Sequence, residues 1–242
     1  MKVADYRVTV QARPEPLGID PSKTAVLVVD MQNDFGAAGG MFDRAGVDIR
    51  MIQRVVEPIA KVLRVARAAH IPVIYIKMEH QPDLSDTGPT DGGYWVKNRI
   101  FSIGTAVAAP DGSASRILVK GTWNTEILKT LAPEPSDIVI SKHRYSGFYQ
   151  TTLDGVLKAH RIKHLVVTGC TTSVCVESTV RDGAFRDYSC IVLGDCTAEP
   201  LGHHEASLAL IEKLFGWVSS SQQFIDAVGA VSPSHATLTP DV

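Results

Sequence analysis

A cysteine, a lysine and an aspartate, far apart in this sequence, are of the types that together attack a carbonyl group. The segment Thr168–Thr179 reads TGCTTSVCVEST and sets Cys170 and Cys175 five positions apart, where an apolar run passes into a helix-like pattern. Thr171, Thr172 and Ser173 are favourable N-caps, and Val176, Val180 and Ala184 follow at helical spacing. The pattern predicts Cys175 in the first helical turn, where unpaired N–H groups and the helix dipole favour negative charge. The same N–H groups can bind the oxyanion formed when a thiolate adds to an amide. Cys170 falls in the preceding turn, which makes Cys175 the expected nucleophile. A free thiol, with a pKa of about 8.5, is a poor nucleophile until ionised. A neighbouring ammonium favours the thiolate, and a carboxylate can accept the proton and deliver it to a leaving amine. Lys142 and Asp30 supply those groups.

The elements that would bring them together follow from hydrophobic patterning. TAVLVVD (Thr24–Asp30) is a continuous apolar run ending in a charge, the pattern of a strand buried on both faces. Ile71–Lys77, Asp137–Lys142, His164–Gly169 and Ser189–Asp195 read as further strands. Between the first two, apolar residues at 52, 55, 56, 59, 62, 63 and 66 form a helical stripe. Leu153, Val156 and Leu157 mark a short helix, and His204–Leu214 reads as another. Alternating strands and helices predict an α/β fold, a doubly wound, mainly parallel sheet flanked by helices in three layers. In such sheets functional groups gather beyond the carboxyl ends of the strands. Asp30 ends the first strand, Lys142 ends the third and Cys175 lies just past the fourth, so all three would open onto one rim. Singly, each has a plainer reading: Cys175 as core packing, Asp30 as a turn residue, Lys142 as a surface charge. Their joint placement favours chemistry.

Residues 1–20 read as an N-terminal arm over the surface, 21–230 as the domain, and 231–242 as a flexible tail. The stretch from 78 to 120, rich in Gly, Pro and Asp, is too long for a mere connection and is expected to wall a pocket or meet another subunit.

Several functional classes are disfavoured. A formal charge of −2, with 21% charged and 45% hydrophobic residues, gives no electrostatic reason to expect nucleic acid or an anionic membrane as partner. No apolar run has the ~18 residues of a membrane span, and residues 1–20 lack the apolar block of a secretion signal. The four cysteines (170, 175, 190 and 196) form no disulfide framework, and a cytoplasmic location with free thiols is expected. Cys190 reads as core and Cys196 as loop packing. Adjacent His203 and His204 cannot both face one metal from a regular helix, and Glu79 with His80 lacks further ligands, so no metal is expected. GAAGG and TDGGYW match no phosphate loop or dinucleotide fingerprint, so no nucleotide cofactor is expected either.

Three ordered motifs carry a resemblance: VLVVDMQNDF (Val26–Phe35), SKHRYSGFYQTTLD (Ser141–Asp154) and VVTGCTTSVCVESTVRDG (Val166–Gly183). Over about residues 20–230 the chain resembles the isochorismatase-like cysteine hydrolases. The resemblance implies a doubly wound sheet, a homo-oligomer between dimer and tetramer, and an Asp–Lys–Cys triad falling on Asp30, Lys142 and Cys175. It also implies a cis peptide between Cys170 and Thr171, with the amides of Thr171 and Cys175 facing an oxyanion. Isochorismatases proper can dispense with the cysteine, so its presence favours amide chemistry. The Asp/His metal cluster of nicotinamidases is missing from IKMEHQPDLSD.

GGMFDRAGVDI, KHRYSGFYQTTLD, VCVESTVRDG and LFGWVS are most similar to the ureidoacrylate amidohydrolases. Those enzymes cleave the ureido group of (Z)-3-ureidoacrylate, or its peroxy form, to aminoacrylate and carbamate in pyrimidine degradation. Biuret hydrolases share the triad and resemble EHQPDLSD, but carry a glycine-rich stretch where this chain has HRYSGF. Biuret or another N-carbamoyl or nicotinamide-type amide is the alternative substrate, and a non-catalytic binding subunit of the same fold the remote one. An anionic substrate needs a cationic or amide-rich anchor. Arg144 is one candidate anchor, Asn33, Glu79 and His80 are candidate urea contacts, and Phe35, Trp123, Tyr145 and Phe148 are candidates for the pocket wall, with core or subunit contact as their plainer reading.

Overall fold

A computed structural model describes residues 7–229. Six strands form the central sheet: β1 (Thr24–Val29), β2 (Val73–Met78), β3 (Ile138–Lys142), β4 (His164–Cys170), β5 (Ser189–Ala198) and β6 (Trp217–Ser219). They lie in the order β6-β5-β4-β1-β2-β3, and every neighbouring pair is parallel. The winding reverses between β1 and β4. Doubly wound sheets bind ligands at such a switch point, beyond the carboxyl ends of the two central strands.

The continuous apolar run of β1 is buried at every position, because helices cover both faces. Val26 and Val28 point to one side, where α1 (Arg50–Ala68) and α5 (Ser221–Gly229) pack through Ile52, Ile59, Val62, Leu63, Phe224 and Val228. Ala25, Leu27 and Val29 point to the other, against α2 (Leu153–Ala159), α3 (Glu177–Ala184) and α4 (His204–Leu214). The period of two along the strand thus divides one sequence run between two cores. Of the expected α1 stripe only Val56 stays half-buried, at the border of the helix's apolar face.

β1 and β4 approach closely where the winding reverses. Val29 pairs with Gly169, which has φ +111, and a Cβ there would lie 2.0 Å from the Val29 carbonyl oxygen. Only glycine fits, so Gly169 sets how near the two central strand ends can come.

The N-terminal segment, expected as a surface arm, is mostly exposed but has structure of its own. Val8–Val10 and Leu17–Ile19 form an antiparallel hairpin, and Val8, Val10 and Ile19 are buried in the core over α5. Arg13 exchanges backbone hydrogen bonds with Val218, which covers the side of β6 away from β5. Short alternating apolar residues, masked by Pro14, Pro16 and Gly18, carry this packing. The tail at 231–242 lies outside the described residues. The stretch from 78 to 120 holds a short helix (Gly93–Asn98) and a hairpin of Ala106–Ala108 with Ala114–Arg116.

Asp34 pins that stretch to the segment after β1. Its buried carboxylate accepts from the amides of Met41 at 2.8 Å and Leu118 at 2.7 Å, and from the Asn124 side chain. Burial outweighs these hydrogen bonds and raises its pKa to about 6. Between the unfolded carboxyl range and that value the folded chain holds the extra proton, so this contribution to stability is present at low pH and declines as pH rises. Relative to an Asp34→Asn variant, which cannot titrate, the wild type should lose roughly 2–3 kcal/mol of unfolding free energy between about pH 4 and pH 7. Urea melts of both proteins across that range measure the difference.

Candidate active site

Asp30 directly follows β1 in a left-handed conformation, φ +52, which bends the chain out of the sheet as the strand ends. Aspartate tolerates that region better than most residues. Lys142 is the last residue of β3 and pairs in register with Met78 at the end of β2. Its side chain reaches past β2, with Nζ 2.7 Å from Asp30 Oδ2, 3.4 Å from Cys175 Sγ and 3.6 Å from Met78 Sδ. The structure therefore brings together the three groups picked out in the sequence. They are nearly sealed: Asp30 is 0% exposed, Lys142 1% and Cys175 6%.

Cys175 is not in an ordinary first α-helical turn. Thr172–Val176 form one wide π-helical turn, with the Val176 amide bonded to the Thr171 carbonyl at 3.1 Å, and α3 begins only at Glu177. Thr171 is extended and its side chain makes no capping bond. The peptide joining Cys170 to Thr171 is cis, and the Cys170 thiol donates to the Asp30 carbonyl at 3.2 Å.

Burial works against a thiolate at Cys175. Burial, then the Asp30 charge, push the Cys175 thiol well above its ordinary range, and Lys142 only partly opposes them. Burial thus favours the neutral thiol over the thiolate. Burial also raises Asp30 above the usual carboxylate range, against the pull of Lys142. For Lys142, burial opposes the charge, but Asp30 and then Cys175 outweigh it, and the ammonium is stabilised. Asp30 Oδ1 is buried without a hydrogen-bond partner, beside a thiol near enough to weigh on its ionisation. A base of raised basicity next to a protonated sulfur favours proton transfer during attack over a standing thiolate.

The expected substrate contacts divide. Tyr145 and Arg144 join a cluster with Tyr94: the Arg144 guanidinium lies 4.4 Å from the Tyr94 ring centroid, and the two tyrosine rings are 5.7 Å apart. Burial raises the Tyr94 hydroxyl pKa. His80 is fully buried beneath it, with Nδ1 3.0 Å from Asp86 and Nε2 3.0 Å from the Tyr94 hydroxyl. Burial lowers the His80 pKa and keeps the ring neutral. A carboxylate only accepts, so Nδ1 carries the proton and Nε2 receives the Tyr94 O–H. Both His80 nitrogens are thus engaged, Nδ1 by Asp86 and Nε2 by Tyr94.

Other placements depart from expectation. Glu79 lies on the strand side of Lys77 and Ser141, bonded to the Ser141 hydroxyl and paired with Lys77 at 3.1 Å, away from Lys142. The period-two alternation that turns Lys142 and Met78 to each other turns Glu79 the other way. Phe35 packs edge-on to Phe42, centroids 5.1 Å apart, in the α1-side core. Phe148 stacks on Tyr188 at 5.9 Å in the opposite core. Both are packing residues. Asn33 donates to the Trp123 carbonyl at 2.8 Å, and Trp123 itself is half-buried. Tyr94 was not singled out, although TDGGYW carries the visible signal of an aromatic pair just after a glycine turn. Among the described residues no helix is long and apolar enough to cross a membrane.

Residues 24–223 match the isochorismatase domain. The chain is 43% identical over 237 residues to the ureidoacrylate amidohydrolase RutB of Methylobacterium radiotolerans, covering 97% of this chain and 90% of that one. It is 42% identical over 229 residues to the protein of the same name from Caulobacter segnis, covering 93% and 94%. Among solved structures, a cysteine hydrolase from Pseudomonas syringae pv. phaseolicola superimposes with a TM-score of 0.74 at 32% identity, covering 88% of this chain and 95% of that one. N-carbamoylsarcosine amidase from Thermoplasma acidophilum gives 0.61 at 28% identity, covering 82% and 96%. With its domain match, its relatives and its strand order in agreement, this chain belongs to the isochorismatase family of hydrolases.

Proposed function

We propose that this protein is a cysteine amidohydrolase that cleaves a ureido C–N bond, with (Z)-3-ureidoacrylate or its peroxy form as substrate. The observation that carries the reading is the Lys142 ammonium seated between Asp30 and Cys175, at 2.7 and 3.4 Å. The substrate choice is supported by relatives near 43% identity that bear the ureidoacrylate amidohydrolase name. The protein works as a cytoplasmic homo-oligomer on this small molecule, without cofactor, metal or nucleic acid.

In the mechanism, Asp30 takes the Cys175 proton as the sulfur adds to the ureido carbonyl. Its raised basicity suits it to that transfer, and Lys142 holds carboxylate and sulfur in line throughout. The amides of Thr171 and Cys175 receive the oxyanion. Collapse expels the vinyl nitrogen, which takes the proton from Asp30 and leaves as aminoacrylate. Water, deprotonated by the same carboxylate, then hydrolyses the carbamoyl thioester, releasing carbamate and restoring the thiol. Arg144, stacked on Tyr94, anchors the substrate carboxylate.

A panel of ureidoacrylate, biuret, nicotinamide and an N-carbamoyl amino acid, read by ammonia release, tests the assignment. Ureidoacrylate should give a kcat/KM at least about 100-fold above biuret and nicotinamide, which carry no carboxylate, since a site built to pair a substrate's charge rejects analogues that leave it unpaired. Preference for biuret or nicotinamide would overturn the substrate.

A further inference from the structure

The π-helical turn that carries Cys175 has no cap of its own, and a residue from another strand supplies one. β5 ends at Ala198, which pairs in register with Cys170, so Glu199 emerges beside the turn. Glu199 is fully buried. Its Oε2 accepts the Ser173 amide at 3.0 Å and also the Ser173 hydroxyl, while Oε1 accepts the Leu201 amide at 2.8 Å. Both oxygens are fixed, and the donors that reach them are neutral. Two contacts from α4 brace the same turn: Thr172 Oγ1 lies 2.9 Å from His204 Nδ1, and the Ser207 hydroxyl donates to the Thr172 carbonyl at 3.3 Å and to Glu177.

Ser173 is the midpoint between Thr171 and Cys175, whose amides are assigned above to the oxyanion. We infer that Glu199 is a positioning residue for amide hydrolysis: by holding the Ser173 N–H and hydroxyl, it fixes the turn so that the flanking amides face the reacting oxygen. The inference rests on the amidohydrolase reading. The turn needs help from outside because Thr171, Thr172 and Val174 are β-branched, poor formers of a first turn, and because a π turn leaves its leading amides without acceptors one turn back. A carboxylate is suited to the task, since a hydrogen bond to a charged acceptor is roughly twice as strong as one to a neutral acceptor. Burying it without a cation is otherwise destabilising, so simple packing does not account for its place.

Glu199→Gln keeps the size and removes the charge and one acceptor. Its kcat and kcat/KM should both fall about 100-fold, the scale of a misplaced oxyanion donor, with KM changed less than about threefold. Iodoacetamide should still modify Cys175 within about twofold of the wild-type rate, because alkylation passes through no oxyanion. Ser173→Ala should lose about threefold to tenfold in kcat, and the double variant no more than Glu199→Gln alone, as expected for one shared contact.

A folded Glu199→Gln protein with kcat within about threefold of wild type, or one whose alkylation slows in step with turnover, overturns the inference. Should Glu199→Gln fail to fold, an unchanged kcat for Ser173→Ala overturns it equally. All assays are run in parallel on p-nitrophenyl acetate, an unspecific acyl donor. Wild-type hydrolysis of that ester without turnover of any ureido compound sinks the substrate reading and leaves the Glu199 test standing. Failure on the ester as well sinks both.

Discussion

Replacing Cys175 with alanine leaves a folded protein that releases ammonia at least about 10⁴-fold more slowly, because loss of a covalent nucleophile removes the pathway itself. Each neighbouring group is present only to manage that sulfur. Asp30 has no proton to take from an alanine, and Lys142 keeps its 2.7 Å contact with Asp30 whether or not the thiol is there. Stability should change by no more than about 1–2 kcal/mol, since one small buried group is lost and the ion pair beside it survives. Cys175→Ser should be nearly as inactive, since a hydroxyl is far harder to ionise at a site where burial already holds even a thiol neutral. Turnover by ammonia release, beside a thermal melt, measures both. A folded Cys175→Ala protein within about 100-fold of wild-type turnover would refute the assignment.

Lys142→Met gives the second large effect, through charge instead of bonding. Methionine fills the space but leaves Asp30 buried with no cation. Burial already raises the Asp30 pKa against the pull of Lys142, and without that pull the carboxyl is protonated at neutral pH. A protonated Asp30 cannot accept the thiol proton, so kcat should fall by about 10³-fold or more at pH 7. Activity should recover partly as pH rises and the carboxyl ionises. Stability should move the opposite way. The variant's folded-state pKa lies far above the unfolded one, so its deficit is small at low pH and grows with rising pH to roughly 3–5 kcal/mol. A pH–rate profile and urea melts at two pH values test both signs. Equal kcat losses at pH 6 and pH 9 would show that Lys142 acts otherwise than through Asp30.

Much of this site was legible before any coordinates. Asp30 and Lys142 close apolar runs, Cys175 follows a third, and the rule that strand ends share a rim does the rest. The stripe on α1 and the run of β1 were readable because burial imposes its period directly on residue type. What escaped was set by pairings with no local signature. β6 is only the last three residues of LFGWVS, just after a helix that ends at Leu214, and Pro14 and Pro16 interrupt the pattern between the two strands of the N-terminal hairpin. Phe35 and Phe148 stand close to Asp30 and Lys142 in sequence, yet the chain turns their rings into opposite cores. Tyr94 comes from a stretch without periodicity. The burial of Cys175 escaped for a different reason: residue types reveal the charges around a sulfur, but not how little water reaches it.

The strand that carries Lys142 is the outermost of the sheet, hydrogen-bonded among the described residues to β2 alone. Its cation neutralises a carboxylate on the innermost strand, two positions away. One fraying event at the margin would therefore withdraw the charge on which the centre relies, while nearly all of the hydrophobic interior stays intact. Catalysis in this protein reports the integrity of its periphery, and whatever shelters that margin from solvent guards the chemistry as well.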